Sequence, residues 1–249
     1  MDYRNSPHLA QWALSNRLIR ILHSTLRGLA AAGLPPRVLE LGAGHGGYAG
    51  EVLAAGQEVT AAEMSPGSLQ ALSARYGAND RLTAVSDPGA DLSDAGDGYS
   101  LALSISVLHH IPDYLDLLDR LSGRLLPGGA LLTMQDPLWY PRVGGVTRAF
   151  DRGTYLAWRI AQGKIPDGVA AMRRRLRGEY PEAEGDEIVY HHVVRQGVDE
   201  EAVVEALRER FARVELFTYW SSHLAVARGP AEFAGLVNTF GVRASGFAG

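Results

Sequence analysis

The stretch Val38-Leu39-Glu40-Leu41-Gly42-Ala43-Gly44-His45-Gly46-Gly47 restricts the fold more than any other part of the chain. Apolar residues suited to a buried strand run into four glycines within six positions. The residues Tyr48 to Ala54 that follow have helical character. A chain that reverses tightly at the carboxyl end of a strand visits positive φ, and glycine does so without steric cost. The helix after the turn presents unpaired N–H groups and a positive dipole end. A strand, a glycine turn and a helix in this order predict a cradle for a small molecule, inside an α/β sheet.

Two acids bear on which molecule. Gly42, Gly44 and Gly47 satisfy the dinucleotide pattern GxGxxG, and Glu63 follows at the spacing of a ribose-binding acid. NAD and S-adenosylmethionine both remain open on that pattern alone. Glu40, two residues before the first glycine, favours a ligand carrying an ammonium and a sulfonium over one carrying a pyrophosphate.

The residues Val38 to Gly46 resemble motif I of the class I S-adenosylmethionine-dependent methyltransferases. Glu63, in Val59-Thr60-Ala61-Ala62-Glu63-Met64, resembles the acid that ends their second strand. Leu126-Pro127-Gly128-Gly129 resembles the turn before their fifth strand. Leu108-His109-His110 resembles a segment of the methyltransferase type 11 group. The resemblance spans roughly residues 37–136. It implies a Rossmann-like class I methyltransferase fold, a seven-stranded, mostly parallel α/β sheet with helices on both faces, the seventh strand antiparallel.

Along the chain, Ser6-Pro7 reads as a helix start, and Leu18, Leu22, Leu26 and Leu29 recur at helical spacing until Gly33 and Pro35-Pro36. The resemblance makes residues 1–36 a lid segment, in which Tyr3, Arg4 and His8 would face the cleft. Strands are expected at 37–42, 57–63, 82–85, 99–107, 130–134, 214–220 and 238–243. Helices are expected at 46–55, 66–76, 113–123, 148–161, 168–177 and 199–210. The layout is a single domain: the lid, a cofactor-binding core at 37–136, an insertion at 137–195, and the rest of the sheet at 196–249. In the family such an insertion builds the acceptor pocket.

For the cofactor, Gly42, Ala43, Gly44 and Gly46 form the floor, and Glu40 approaches the ammonium end. Glu63 takes the ribose hydroxyls and Met64 lies against the adenine. Asp87, with Pro88, resembles the acid that receives the adenine amino group, and Ser104 and Ile105 border the sulfur. His109, His110 and His192 are candidate general bases, since an imidazole titrates near neutrality. Tyr140, Arg142, Tyr155, Trp158 and Arg159 are candidates for an acceptor pocket. Ser100 stands where an aspartate is common in the family, a structural position.

A net charge of −4 argues against nucleic acid as partner. Arg173, Arg174, Arg175 and Arg177 read as a solvated helix face. Without cysteine there is no disulfide, thiolate metal site or cysteine nucleophile, and no histidine pair has ligand spacing, so no metal is expected. No run approaches the ~20 apolar residues of a membrane span, and a cytoplasmic location is expected. The expected reaction is methylation of a small organic acceptor at oxygen, in natural-product metabolism, with a homodimer as the possible assembly. A cyclase or lyase that uses S-adenosylmethionine as a fixed charge, and a nicotinamide-dependent oxidoreductase, are the alternatives.

Overall fold

A computed structural model describes residues 12–161, 197–222 and 224–249, with Arg159 and Ala225 as backbone only. The predicted helix at 168–177, His191, His192 and the arginine run lie outside the described residues. So do Tyr3, Arg4 and His8.

The elements are α1 (Trp12–Ala31), β1 (Arg37–Leu41), α2 (Gly47–Ala54), β2 (Glu58–Glu63), α3 (Pro66–Tyr76), β3 (Leu82–Ser86) and β4 (Tyr99–Ile105). After a 3₁₀ turn at Leu108–His110 come α4 (Tyr114–Ser122), β5 (Leu125–Pro137) and α5 (Gly145–Ala161). The chain finishes with α6 (Glu200–Arg208), β6 (Phe211–Tyr219), α7 (Arg228–Phe233) and β7 (Thr239–Phe247). The strands form one seven-stranded sheet in the order β3-β2-β1-β4-β5-β7-β6. The first five pair in parallel, and β7 runs antiparallel to both β5 and β6.

The apolar character of β4 follows from cover on both faces: all seven of its residues are buried. On one face Leu14, Leu18 and Leu22 of α1 pack with Val52, Leu72, Leu103 and Met134. On the other, Leu117 and Leu121 of α4 and Val203 and Leu207 of α6 pack with Leu41, Ala102, Leu131 and Val242. Ser65 caps α3, its Oγ accepting from the Ser68 N–H with proline at the first helical position. Asp199 caps α6 through the N–H groups of Glu201 and Ala202.

Element boundaries fall within a few residues of the expected ones. Strand β5 is longer, because its pairing with β4 begins at Leu125 and resumes at Ala130 past an irregularity that holds the Pro127-Gly128-Gly129 turn, and α5 begins three residues early. Helix α7 was not expected from the sequence. Ser100 Oγ lies 2.6 Å from the Pro35 carbonyl and 2.9 Å from that of Arg37, a structural role as expected.

The crossover order reverses between β1 and β4, so the carboxyl ends of these strands diverge and leave a crevice there. Gly46, in the left-handed region at φ 77, ends the turn as the N-cap of α2. A Cβ there would stand 2.5 Å from Leu72 Cδ1 and 2.8 Å from Tyr76 Cε2, which pins the turn to α3. Gly46→Ala should therefore lose roughly 2–4 kcal/mol of folding stability, from left-handed strain plus overpacking. Urea denaturation measures it, and a loss below about 1 kcal/mol would contradict this packing.

Candidate cofactor cleft and acceptor region

The cleft is framed by the glycine turn, the end of β2, the turn after β3 and the end of β4. Glu63 closes the frame. Its Oε2 accepts from the Gly44 N–H at 2.7 Å and its Oε1 from the Ser65 N–H at 2.8 Å. One carboxylate thus ties the β1–α2 turn to the β2–α3 turn, with 6% of the residue exposed. Each oxygen keeps a second lone-pair site for a ligand hydroxyl.

The glycines of the turn do different work. Gly42 lies against Val107, and Gly46 against α3. Gly44, at φ 55, has nothing within 4 Å of where a Cβ would stand. It is the place where a ligand can approach bare backbone.

Glu40 is 2% exposed and its Oε2 has no hydrogen-bond partner. Burial, reinforced by the charge of Glu63, pushes its carboxyl up to about 8. Tyr48 lies close by. Its hydroxyl is buried without a partner, and burial with the charges of Glu40 and Glu51 pushes that phenol upward too. A buried carboxyl without a partner fits a cationic group better than a phosphate.

Asp87 is buried at the end of β3. Its Oδ1 accepts from the N–H groups of Asp91 and Leu92, holding the following turn, while Oδ2 has no partner. Burial raises its carboxyl above the ordinary range, partly offset by those two N–H groups. Pro88 beside it is exposed, Met64 is half-buried against the core, and Ala43, Ser104 and Ile105 are buried. All the sequence-derived cofactor candidates therefore lie at the carboxyl ends of β1 to β4 or in the turns that follow.

The histidine pair divides. His109 is 8% exposed, and its Nδ1 lies 2.8 Å from Oδ1 of Asp136, a fully buried residue. That carboxylate also receives the His109 backbone N–H and, on Oδ2, the Thr133 hydroxyl. His110 is half-buried, its ring 3.9 Å from that of His109.

The acceptor candidates do not converge. Arg142 pairs with Asp199, Glu200 and Glu201 at the start of α6 and lies over the Trp139 ring. It serves as a clamp on a helix end. Tyr140 donates to Asp151, which Asn238 also binds, tying α5 to β7. Tyr155 and Trp158 pair with each other on α5, Tyr155 being exposed, and the Arg159 side chain lies outside the described residues.

Sequence reasoning missed Asp136, Thr133 and Gln135. Gln135 sits at a bulge in β5 with φ 68, its N–H held by the Tyr219 hydroxyl and its buried Nε2 without a partner. The irregular Gln135-Asp136-Pro137 was the available signal, since a strand carrying polar residues at its carboxyl end often does so for function. Among the described residues no cluster is placed to hold a metal ion, and no helix is long and apolar enough to cross a membrane.

This sheet order, with the glycine turn after β1 and the acid after β2, is that of the class I methyltransferase fold. Residues 39–131 match the model of a methyltransferase domain family. Solved structures agree at the level of fold. One assigned provisionally to a sarcosine dimethylglycine methyltransferase of Galdieria sulphuraria aligns with TM-score 0.61 at 14% identity, covering 94% of this chain and 87% of that one. An O-methyltransferase family protein of Burkholderia thailandensis gives 0.57 at 14%, over 97% and 59%. A phosphoethanolamine N-methyltransferase of Haemonchus contortus gives 0.52 at 14%, over 87% and 49%. No curated protein matches the sequence.

Glu40 yields a pH dependence. Its folded value, about 8, stands above the ordinary 4.5. The stability it contributes is therefore fully present below about 4.5 and is lost as pH rises through about 8. Glu40→Gln cannot ionise, so its urea midpoint should draw ahead of wild type between pH 5 and pH 9. Parallel pH profiles for the two proteins would contradict the assignment.

Proposed function

We propose that the protein is an S-adenosylmethionine-dependent methyltransferase that methylates a small organic molecule at oxygen. The observation that carries the reading is the Glu63 brace, which holds the glycine turn open at Gly44 while Glu40 waits beneath it, buried and without a partner. Glu63 would receive the ribose hydroxyls, Glu40 the ammonium group, Asp87 Oδ2 the adenine amino group, and Met64 the adenine face. The bound donor supplies a methyl group on a sulfonium, which leaves readily as its carbon–sulfur bond breaks.

What the protein adds is placement. Holding acceptor and donor at attack distance replaces a bimolecular encounter and contributes much of the acceleration. A base near the acceptor, for which His109 and His110 are the candidates, removes one proton. The absence of any basic surface bias in the composition supports a small acceptor over a nucleic acid, and metabolism of natural products is a suitable setting for it.

Three outcomes test this reading. Glu63→Ala should weaken S-adenosylhomocysteine binding by roughly 2–5 kcal/mol, the worth of two charge-assisted hydrogen bonds. Gly44→Ala should cost only about 1 kcal/mol of stability, yet lose most cofactor affinity, because its methyl enters the open face of the turn. Calorimetry reads both, and unchanged affinity in either variant contradicts the cleft as drawn. A product heavier by one methyl group than its acceptor separates transfer from cyclase or lyase chemistry, which leaves the methyl on sulfur.

A further inference from the structure

A cavity of about 220 Å³ opens beside the 3₁₀ turn, lined chiefly by Leu108, His109, Pro112, Tyr114, Trp139 and Val198. We propose that this cavity is the acceptor site, that the acceptor is a single-ring phenol, and that His109 removes its hydroxyl proton while Asp136 positions His109. The proposal rests on the methyltransferase reading above and names the substrate class for it.

Size comes first. An apolar cavity of roughly 150 Å³ accepts benzene, so this one holds one substituted ring and little more. The rings of Tyr114 and Trp139 stand among aliphatic walls, a lining suited to an aromatic guest. Trp139 is held in place from outside: Arg142 lies over its ring at 4.7 Å, and its backbone N–H donates to Glu200 Oε2.

Charge comes second. The carboxylate on the cavity wall, Asp199, takes Arg142 and two N–H groups of α6 on its Oδ1. Asp136, behind His109, receives the His109 backbone N–H, the His109 ring and the Thr133 hydroxyl. A neutral phenol enters such a small cavity without the desolvation penalty that a protonated amine carries.

The histidine comes third. An imidazole that donates from Nδ1 to a carboxylate carries its lone pair on Nε2. Asp136 is fully buried and held on both oxygens, so it fixes both the ring plane and the tautomer. It also stabilises the imidazolium that forms when Nε2 takes a proton. Val107, two residues before His109, lies against Gly42, so cavity and glycine turn are neighbours.

The reaction then balances simply. The phenol O–H proton passes to His109 Nε2 and the oxygen lone pair forms a bond to the sulfonium methyl carbon. The carbon–sulfur bond breaks with its electron pair remaining on sulfur. An aryl methyl ether and a thioether result, and the imidazolium returns its proton to water.

Catechol is the probe, with benzylamine as its cationic counterpart, each titrated calorimetrically into the protein with and without S-adenosylhomocysteine. Catechol should bind at least ~10-fold tighter than benzylamine. Trp139→Ala should weaken catechol at least ~10-fold while changing S-adenosylhomocysteine affinity less than ~2-fold, which also certifies its fold. In turnover with S-adenosylmethionine, His109→Ala should lower kcat by about 10²-fold or more with the KM for catechol little changed. Added imidazole should restore part of that rate.

Asp136→Asn should lower kcat in the same way, and Thr133→Val, which removes only one hydroxyl from that carboxylate, should lower it by a smaller factor. Benzylamine binding as tightly as catechol, catechol affinity indifferent to Trp139→Ala, or a His109→Ala protein that imidazole leaves unchanged would each overturn the proposal. Should Asp136→Asn fail to bind S-adenosylhomocysteine, full kcat in Thr133→Val overturns the positioning role. Wild-type protein that binds S-adenosylhomocysteine but not catechol sinks this inference alone. Wild-type protein that does not bind S-adenosylhomocysteine sinks the methyltransferase reading itself.

Discussion

A single buried carboxylate holds the cleft together. Glu63 ends β2 and reaches both the Gly44 N–H of one turn and the Ser65 N–H of the next. Glu63 supplies the acceptor for both N–H groups, and donors left alone in a buried turn are costly. The brace therefore answers a structural need. It fixes the crevice at the point where β1 and β4 part, and it presents a negative group at the crevice wall.

The second acid works in the opposite sense. Glu40 is buried without a partner and is driven toward the protonated form by desolvation and by Glu63. A folded protein tolerates such a group where a ligand later compensates it. The Tyr48 hydroxyl near it and Asp87 Oδ2 at the end of β3 are likewise buried without partners. Glu40 and Asp87 both belong to the carboxyl-terminal part of a parallel strand or the turn after it.

Much of the framework was legible in the residue pattern. The glycine turn, the Ser65-Pro66 helix start, the apolar run of β4 and the Pro127-Gly128-Gly129 turn are local signals, read from neighbours in the chain. The placement of cofactor candidates followed, because a parallel sheet puts its strand ends on one edge. What was not legible depends on contacts between distant residues. His109 finds Asp136 across 27 positions, and no spacing rule announces that. Arg142 looked like an acceptor-binding cation. It is taken up by Asp199, Glu200 and Glu201, because three acids in the first turn of α6 make the stronger partner for a guanidinium. The left-handed Gln135 was hidden too, since it is a bulge and a tyrosine hydroxyl from β6, not a local preference, that hold it there.

The central claim is that this cleft takes a cationic adenosyl ligand in place of a dinucleotide. Parallel calorimetric titration of the protein with S-adenosylmethionine, S-adenosylhomocysteine and NAD tests it most directly. Saturable binding of the first two, with no heat from NAD, is the predicted result. Binding of NAD with neither sulfur compound would contradict it and return Gly42 to Glu63 to the reading of a dinucleotide fingerprint.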